Sequence, residues 1–228
     1  MQKSGFFISG THTGIGKTLV SSILVSALLQ KNQPVCYFKP LQTGVSTEED
    51  PEDDTRTVLH LSGCSREHIV PPVYRLPAPM APLRAAEQAG IPLSWEKVLL
   101  GCSHVKKQNR FLIVEGAGGL LVPITSSPAR SMRDLISEFK LPLILVASTQ
   151  LGTINHTLLS LEAADRAGIE IQGYILVGDP DPGLEECLSQ FHPAPCLAHL
   201  PRLSHINRDQ VSHLAKEWSS YEFLNESR

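Results

Sequence analysis

The chain has 228 residues, 42% hydrophobic and 19% charged, which predicts a packed α/β domain rather than disorder. A formal net charge of −3 with no basic run argues against nucleic acid as a partner. Cys36, Cys64, Cys102, Cys187 and Cys196 are odd in number and widely spaced, with no Cys-x-x-Cys, so reduced thiols in a cytoplasmic protein are expected.

In chain order, Phe6-Phe7-Ile8 reads as a buried strand running into Gly10-Thr-His-Thr-Gly-Ile-Gly-Lys-Thr18. Strand, glycine-rich turn and Gly-Lys-Thr opening a helix is the layout of a phosphate-binding loop. Backbone N–H groups converge on an anion, and the helix N-terminus adds positive charge. Lys17 would reach the terminal phosphates, and the Thr18 hydroxyl would sit on Mg²⁺. Five residues, not four, separate Gly10 from Gly16. Leu19–Leu29 is apolar, but Ser21, Ser22 and Ser26 interrupt it; it reads as a buried first helix, not a leader. No stretch is long and apolar enough to span a bilayer.

Pro34–Pro40 reads as the second strand, with Lys39 at its carboxyl end, where ligands gather in parallel sheets. Gln42-Thr43-Gly44 follows. Ser46–Thr57 is an acidic loop from which Asp53 or Asp54 could reach Mg²⁺; the bare sequence does not choose between them. Thr55–Leu61 reads as a short helix. Val70–Pro82 is rich in proline and reads as an irregular loop. Ile91–Val105 reads as a helix with Ser94 as a candidate N-cap.

Phe111–Glu115 is an apolar run delivering a carboxylate at its tip, followed by Gly116-Ala117-Gly118-Gly119. A buried strand carrying an acid there can hold Mg²⁺ beside a phosphate loop. Leu141–Ala147 reads as another strand. Gly152-Thr-Ile-Asn155 leads into a helix through Ala167, closed by Gly168. The N–H groups near Gly152–Asn155 could bind an anion, or Thr153 or Asn155 could simply cap the helix. Ile171–Val177 reads as a strand, Gly178–Gly183 as a turn cluster, Cys196–Leu200 as a last short strand and Arg208–Trp218 as a last helix. His192, Cys196, His199 and His205 lie close in sequence, but Pro193, Pro195 and Pro201 break any helical face, so ordinary residues are favoured over a zinc site. Strands alternating with helices predict one P-loop NTPase-like α/β domain over residues 1–228, a parallel sheet with helices on both faces.

Taken together these segments resemble the dethiobiotin synthetase family. The resemblance runs from Gly10 to about Leu203 and rests on 10–18, Phe-Lys-Pro-Leu-Gln-Thr-Gly (38–44), Asp54, Pro-Met-Ala-Pro (79–82), Val-Glu-Gly-Ala-Gly-Gly (114–119) and Leu-Gly-Thr-Ile-Asn-His (151–156). It implies a Mg²⁺- and ATP-dependent ligase that joins 7,8-diaminononanoate and CO₂ or bicarbonate into a cyclic urea. It implies Lys17 and Lys39 as catalytic groups, Thr18, Asp54 and Glu115 as metal ligands, and Thr13, Lys39, Thr43, Gly152 and Asn155 around the substrate. Nucleotide contacts are implied at Gly14, Ile15, Gly16, Lys17, Thr18, Leu19, Asp54, Glu115, Gly116, Ala117, Gly118, Val177, Gly178, Pro201, Arg202 and Leu203. A homodimer is implied, the Gly152–Asn155 turn of one subunit taking the substrate carboxylate of the other. Three departures stand out: Val177-Gly178 replaces the segment where many members carry an adenine-reading asparagine, the late Gly-x-x-Pro segment near the base is Ala198-His-Leu-Pro201, and Leu83 stands where histidine is common; the first two leave nucleoside triphosphates other than ATP open as the co-substrate. The alternatives are another enzyme on the same loop, an ATP-dependent amidating synthetase or a small-molecule kinase, and a switch ATPase that positions proteins in the cell. Thr11, His12 and Thr13 occupy the stretch where the latter carries an early lysine.

Overall fold

A computed structural model describes residues 4–203 and 205–225. Its chain runs β1 (Gly5–Gly10), α1 (Lys17–Gln30), β2 (Val35–Phe38), β3 (Leu41–Thr43), α2 (Asp54–Ser62), β4 (Ile69–Val70), β5 (Tyr74–Leu76), α3 (Pro82–Ala89) and α4 (Trp95–Lys106). It continues through β6 (Phe111–Glu115), β7 (Pro123–Ser126), β8 (Ala129–Ser131), α5 (Met132–Phe139), β9 (Leu143–Ser148), α6 (Thr153–Asp165), β10 (Ile171–Val177), α7 (Pro182–Phe191), β11 (Cys196–Leu200), α8 (Arg208–Trp218) and α9 (Glu222–Asn225).

The main sheet has seven strands in the order β11-β10-β9-β1-β6-β2-β4, paired in parallel throughout. Strands covered on both faces read as continuous apolar runs, which is why β1, β6 and β9 show no polar alternation. Their side chains still alternate in direction. Phe7 enters a core shared with α4, α5, α6 and α7, while Phe6 and Ile8 enter a second core beneath α1, α2 and α8. Because β1 is flanked by β6 and β9, the loop after it opens at the middle of the sheet's carboxyl edge, the crevice where such folds bind ligands.

Several expected boundaries shift. The proline-rich stretch is not wholly irregular. Tyr74–Leu76 forms β5, which pairs in parallel with β3, Leu41 opposite Tyr74. Pro71, Pro72, Pro77 and Pro79 flank this short strand and cost it no ladder donor. Pro82 starts α3 at the position where a missing N–H is harmless. Within the expected turn cluster, Asp181 caps α7 by accepting from the Leu184 N–H, so a helix begins where only turns were expected. The helix expected from Ile91 begins at Trp95, with the Ser94 hydroxyl accepting from Lys97 N–H at 3.1 Å. The helix expected to reach Ala167 ends at Asp165, and Gly168 follows in left-handed conformation at φ 65°. No helix among the described residues is long and apolar enough to cross a membrane.

Candidate active site

The phosphate loop spans the turn between β1 and α1. Gly16 sits at φ 103° as the helix N-cap with no side chain competing for the first N–H groups. That left-handed conformation is open to glycine alone without strain, and it aims the N-terminal amides of α1 outward. The Gly116–Gly119 turn lies against the loop: a Cβ on Gly119 would stand 3.1 Å from the Gly10 carbonyl oxygen. Thr13 adjoins the same turn, its Oγ1 3.6 Å from where a Gly118 Cβ would be.

At the start of α1 four chain segments meet. Thr18 Oγ1 lies 2.5 Å from Asp54 Oδ1 and 3.0 Å from Glu115 Oε1. Lys39 Nζ contacts Asp54 Oδ2 and donates to Glu115 Oε1 at 2.9 Å. Glu115 is completely buried, and its second oxygen accepts from Ser21 Oγ at 2.8 Å and Tyr37 OH at 3.0 Å. Such satisfaction is what permits a carboxylate inside a protein. Lys17 is also buried, yet its Nζ donates to a carbonyl, that of His12, at 3.3 Å.

The charges follow from this geometry. Burial opposes the charge on Lys39, but Glu115 and Asp54 outweigh it and hold Lys39 above its ordinary value. Burial pushes Asp54 up, but Lys39 and hydrogen bonds from Lys39, Thr18 and Gln42 bring it below its ordinary value. Lys17 is pulled down by burial first, then by the charge of Lys39, against the pull of Glu115 and Asp54. The Tyr37 hydroxyl is held well above its usual range by burial and by Glu115 beside it. The result is two ammonium groups and two carboxylates beside a ring of amide N–H donors.

The two neighbouring aspartates have different work. Asp53 is fully buried and caps α2, accepting from Thr55 N–H at 2.8 Å and Arg56 N–H at 3.2 Å. Arg75 of β5 pairs with its other oxygen at 2.8 Å. Asp54, one residue on, faces Thr18 and Lys39 instead. Thr18, Asp54 and Glu115 form an all-oxygen donor set, which suits Mg²⁺. Lys39 already bridges the two carboxylates, so the cluster is built around positive charge at that point.

The other expected positions are spread around this centre. Thr43 ends β3 and is half-buried, next to the buried Gln42. Ile15 is buried in the loop, and Leu19 packs at the edge of the α1 core. Gly152 opens α6 at φ 93°, and no side chain caps that helix. Thr153 instead lies 3.4 Å from the Thr157 hydroxyl, while Asn155 is exposed. Val177 abuts the phosphate loop, with its methyl groups 3.6 Å from where a Gly16 Cβ would be. Gly178 donates to the Leu200 carbonyl at 2.9 Å. Pro201 and Arg202 are exposed and Leu203 half-buried just beyond β11.

Sequence reasoning missed Ser21, Tyr37 and Gln42. A signal existed for the first two. Ser21 follows Thr18 by one helical turn, and Tyr37 precedes Lys39 by the two-residue period of a strand. A separate cavity of about 1140 Å³, lined by residues including Arg56, His60, Arg66 and Arg208, contains neither Lys17, Lys39, Asp54 nor Glu115. The histidines also separate. His192 meets Asp165 at 2.9 Å, while Cys196 and His199 come together with Glu185, a grouping that the helical-face argument did not foresee.

Comparison with known proteins gives the family and the fold. Residues 4–210 match the family described as AAA domain. The chain is 39% identical over 204 residues to an ATP-dependent dethiobiotin synthetase of Nitrobacter hamburgensis, covering 90% of this chain and 89% of that one. It is 37% identical to the Agrobacterium fabrum enzyme of that name, covering 96% of each chain, and 34% identical to that of Bacillus subtilis, covering 93% and 94%. Among solved structures it resembles a ParA family ATPase from Chlorobium tepidum at TM-score 0.59 and 14% identity, over 96% of this chain and 98% of that one. It also resembles the septum site-determining protein MinD of Pyrococcus horikoshii at TM-score 0.54 and 18% identity, over 97% and 93%. At such identities these two structures establish the fold and nothing of the activity.

Proposed function

Because the chain belongs to the ATP-dependent dethiobiotin synthetase family, we infer that it closes the cyclic urea of dethiobiotin, using ATP and releasing ADP and phosphate. The substrates we propose are 7,8-diaminononanoate and CO₂. The observation that carries the reading is the convergence of Lys17, Thr18, Lys39, Asp54 and Glu115 at the mouth of the phosphate loop.

One amine of the substrate takes up CO₂ as a carbamate. A carbamate oxygen then attacks the γ-phosphorus of ATP and ADP leaves. The second amine attacks the carbamate carbon, phosphate departs, and the ring is closed. The difficult step brings two anions together. Phosphoryl transfer asks the protein chiefly for positioning and charge neutralisation. Lys17 reaches from the loop toward the transferring phosphate. Lys39, held charged by its carboxylates, can place one N–H on the carbamate. The amides of Gly14–Thr18 hold the phosphate chain. Thr18, Asp54 and Glu115 would hold Mg²⁺, which neutralises phosphate charge when bound. Thr13 and Thr43 supply hydroxyls for the carbamate end.

We assign the substrate carboxylate to the uncapped start of α6 in a second copy of the chain. The turn there is framed by apolar side chains in water: Leu151 is fully exposed and Ile154 partly so. A homodimer that buried them would bring Gly152 and Asn155 to its partner's substrate. The enzyme would work in the cytoplasm, where ATP and the diamine are both at hand.

The test is phosphate release by the purified protein with Mg²⁺ and bicarbonate, with and without diaminononanoate. Release that depends on the diamine, with dethiobiotin as product, is the expected outcome. Diamine-independent release would overturn the synthetase reading and leave a switch ATPase.

A further inference from the structure

The edge strand β11 carries a donor set that the reaction site does not use. Glu185 of α7 and Cys196 and His199 of β11 bring a carboxylate oxygen, a thiol sulfur and an imidazole nitrogen within 4.8 Å of one another. In a regular strand, residues three apart point to opposite faces. Here they share one, because the pairing with β10 shifts register: Tyr174 opposes Cys196, and the next residue, Ile175, opposes Ala198. Leu197 is the extra residue of a bulge, which resets the alternation. Ala198 and Leu200 then pack into the α1 and α8 core, while Cys196 packs on the α7 side. His199 returns to that side, where its Nε2 meets Glu185.

The bulge depends on Gly173. A Cβ there would stand 2.5 Å from the Pro195 carbonyl oxygen and 2.7 Å from Leu197 Cγ. The His199 and Glu185 side chains are 28% and 40% exposed, which leaves an entry path.

We propose that Glu185, Cys196 and His199 form a binding site for a divalent transition-metal ion of the zinc type, with solvent completing the tetrahedron. Zinc takes sulfur, nitrogen and oxygen donors at about 2.0–2.3 Å, so the ligands of one tetrahedral ion stand roughly 3.3–3.8 Å apart. The three donors, within 4.8 Å of one another, would adjust to that spacing on binding. Thiolate and imidazole select such an ion over Mg²⁺, so this site and the oxygen cluster at Thr18 do not compete for one metal. On binding, the thiol proton passes to solvent, and Cys196, His199 and Glu185 each donate one electron pair. No oxidation is involved. The ion would tie α7 to β11 just ahead of Pro201, on the strand that leads to the proposed nucleotide contacts.

The test uses the full chain, stripped with a chelator and titrated with Co²⁺, then with Zn²⁺. One equivalent of Co²⁺ is expected to give a near-ultraviolet thiolate-to-metal charge-transfer band, abolished by Zn²⁺. Cys196→Ser is expected to remove the band and weaken Zn²⁺ binding by at least about tenfold. His199→Gln is a second variant in case the first folds poorly, and Cys187→Ser, on the same helix as Glu185, is expected to keep the band. Co²⁺ held by oxygen ligands alone gives no such band. No band in the parent chain, or a band that survives in Cys196→Ser, would overturn the proposal.

Discussion

At the scale of single residues, the two lysines of the site differ in what holds them. Lys39 is clamped between Asp54 and Glu115; Lys17 is buried with its Nζ on the His12 carbonyl. A desolvated cation without a carboxylate partner is carried for function, not for stability. Lys17→Met should therefore cut diamine-dependent phosphate release by about 10²–10³, the usual cost of losing one transition-state donor. Its melting temperature should stay level or rise; a clear fall would show that Lys17 is structural. The proposed base contact gives a second contrast. Where the family resemblance implies an adenine-reading asparagine, Gly178 lies at φ 139°, and a Cβ there would stand 2.2 Å from Thr149 Oγ1. No amide can be restored at this position without displacing Thr149. A bidentate amide contact to adenine discriminates by about 1–3 kcal/mol. Turnover with CTP or GTP should accordingly come within about tenfold of that with ATP, a prediction that strict ATP dependence in a side-by-side assay would defeat.

At the scale of elements, strands and helices were legible where one period dominated. Ile171–Val177, Cys196–Leu200 and Arg208–Trp218 were expected from the sequence and form with those bounds. The phosphate loop was legible because its glycines, lysine and flanking apolar runs form a local pattern. What was not legible depended on distant partners. Tyr74–Leu76 is a strand only because Leu41–Thr43 lies beside it. Nothing local separates Asp53 from Asp54; the difference is made by Arg75, Thr18 and Lys39, which come from elsewhere in the chain. The bulge that joins Cys196 to His199 is a property of β10 and β11 together. The docking of α8 shows how such partnership stabilises an element. Trp218 is fully buried, and its ring stacks on Tyr221 at 6.3 Å between centroids. Its indole nitrogen has no hydrogen-bond partner among the described residues, so its contribution is packing. Trp218→Ala should lower unfolding stability by about 3–5 kcal/mol. Trp218→Phe should cost clearly less, since it keeps most of the ring and removes an unpaired donor. Urea denaturation of both variants checks this, and equal losses would show that the nitrogen matters after all.

At the scale of the whole molecule, the site's charges should be visible in how stability depends on pH. Asp54 titrates below its ordinary value of 3.8 in the folded chain. Its contribution is therefore present above that value and is lost as pH falls through the lowered one. Lys39 titrates above its ordinary value of 10.5, so its contribution is present below 10.5 and is lost as pH rises through the folded value. Between those limits the pair gives a plateau. His12 adds a small acid-side slope. Burial, then the charges of Lys17 and His156, hold it below 6.5, so the unfolded chain takes up its proton first and stability declines as pH drops through that range. Replacing Lys39 reverses the sign of the larger effect. In Lys39→Met, Asp54 and Glu115 would face each other without the cation between them. Two close carboxylates cannot both ionise cheaply, so one folded-state value would rise above its unfolded one. Protonation then favours the folded chain. Removing one partner from a buried ion cluster costs about 3–5 kcal/mol at neutral pH. Part of that loss should return as pH falls from 7 toward 5, where the parent chain only holds or declines. Added Mg²⁺, which we propose binds the same oxygens, should restore stability at pH 7 in Lys39→Met more than in the parent and flatten its acid-side rise. Urea midpoints across that pH range, with and without Mg²⁺, decide the matter. Parallel profiles for the two proteins would mean that Lys39 does not balance the carboxylates, and the charge arrangement assigned to the site would have to be abandoned.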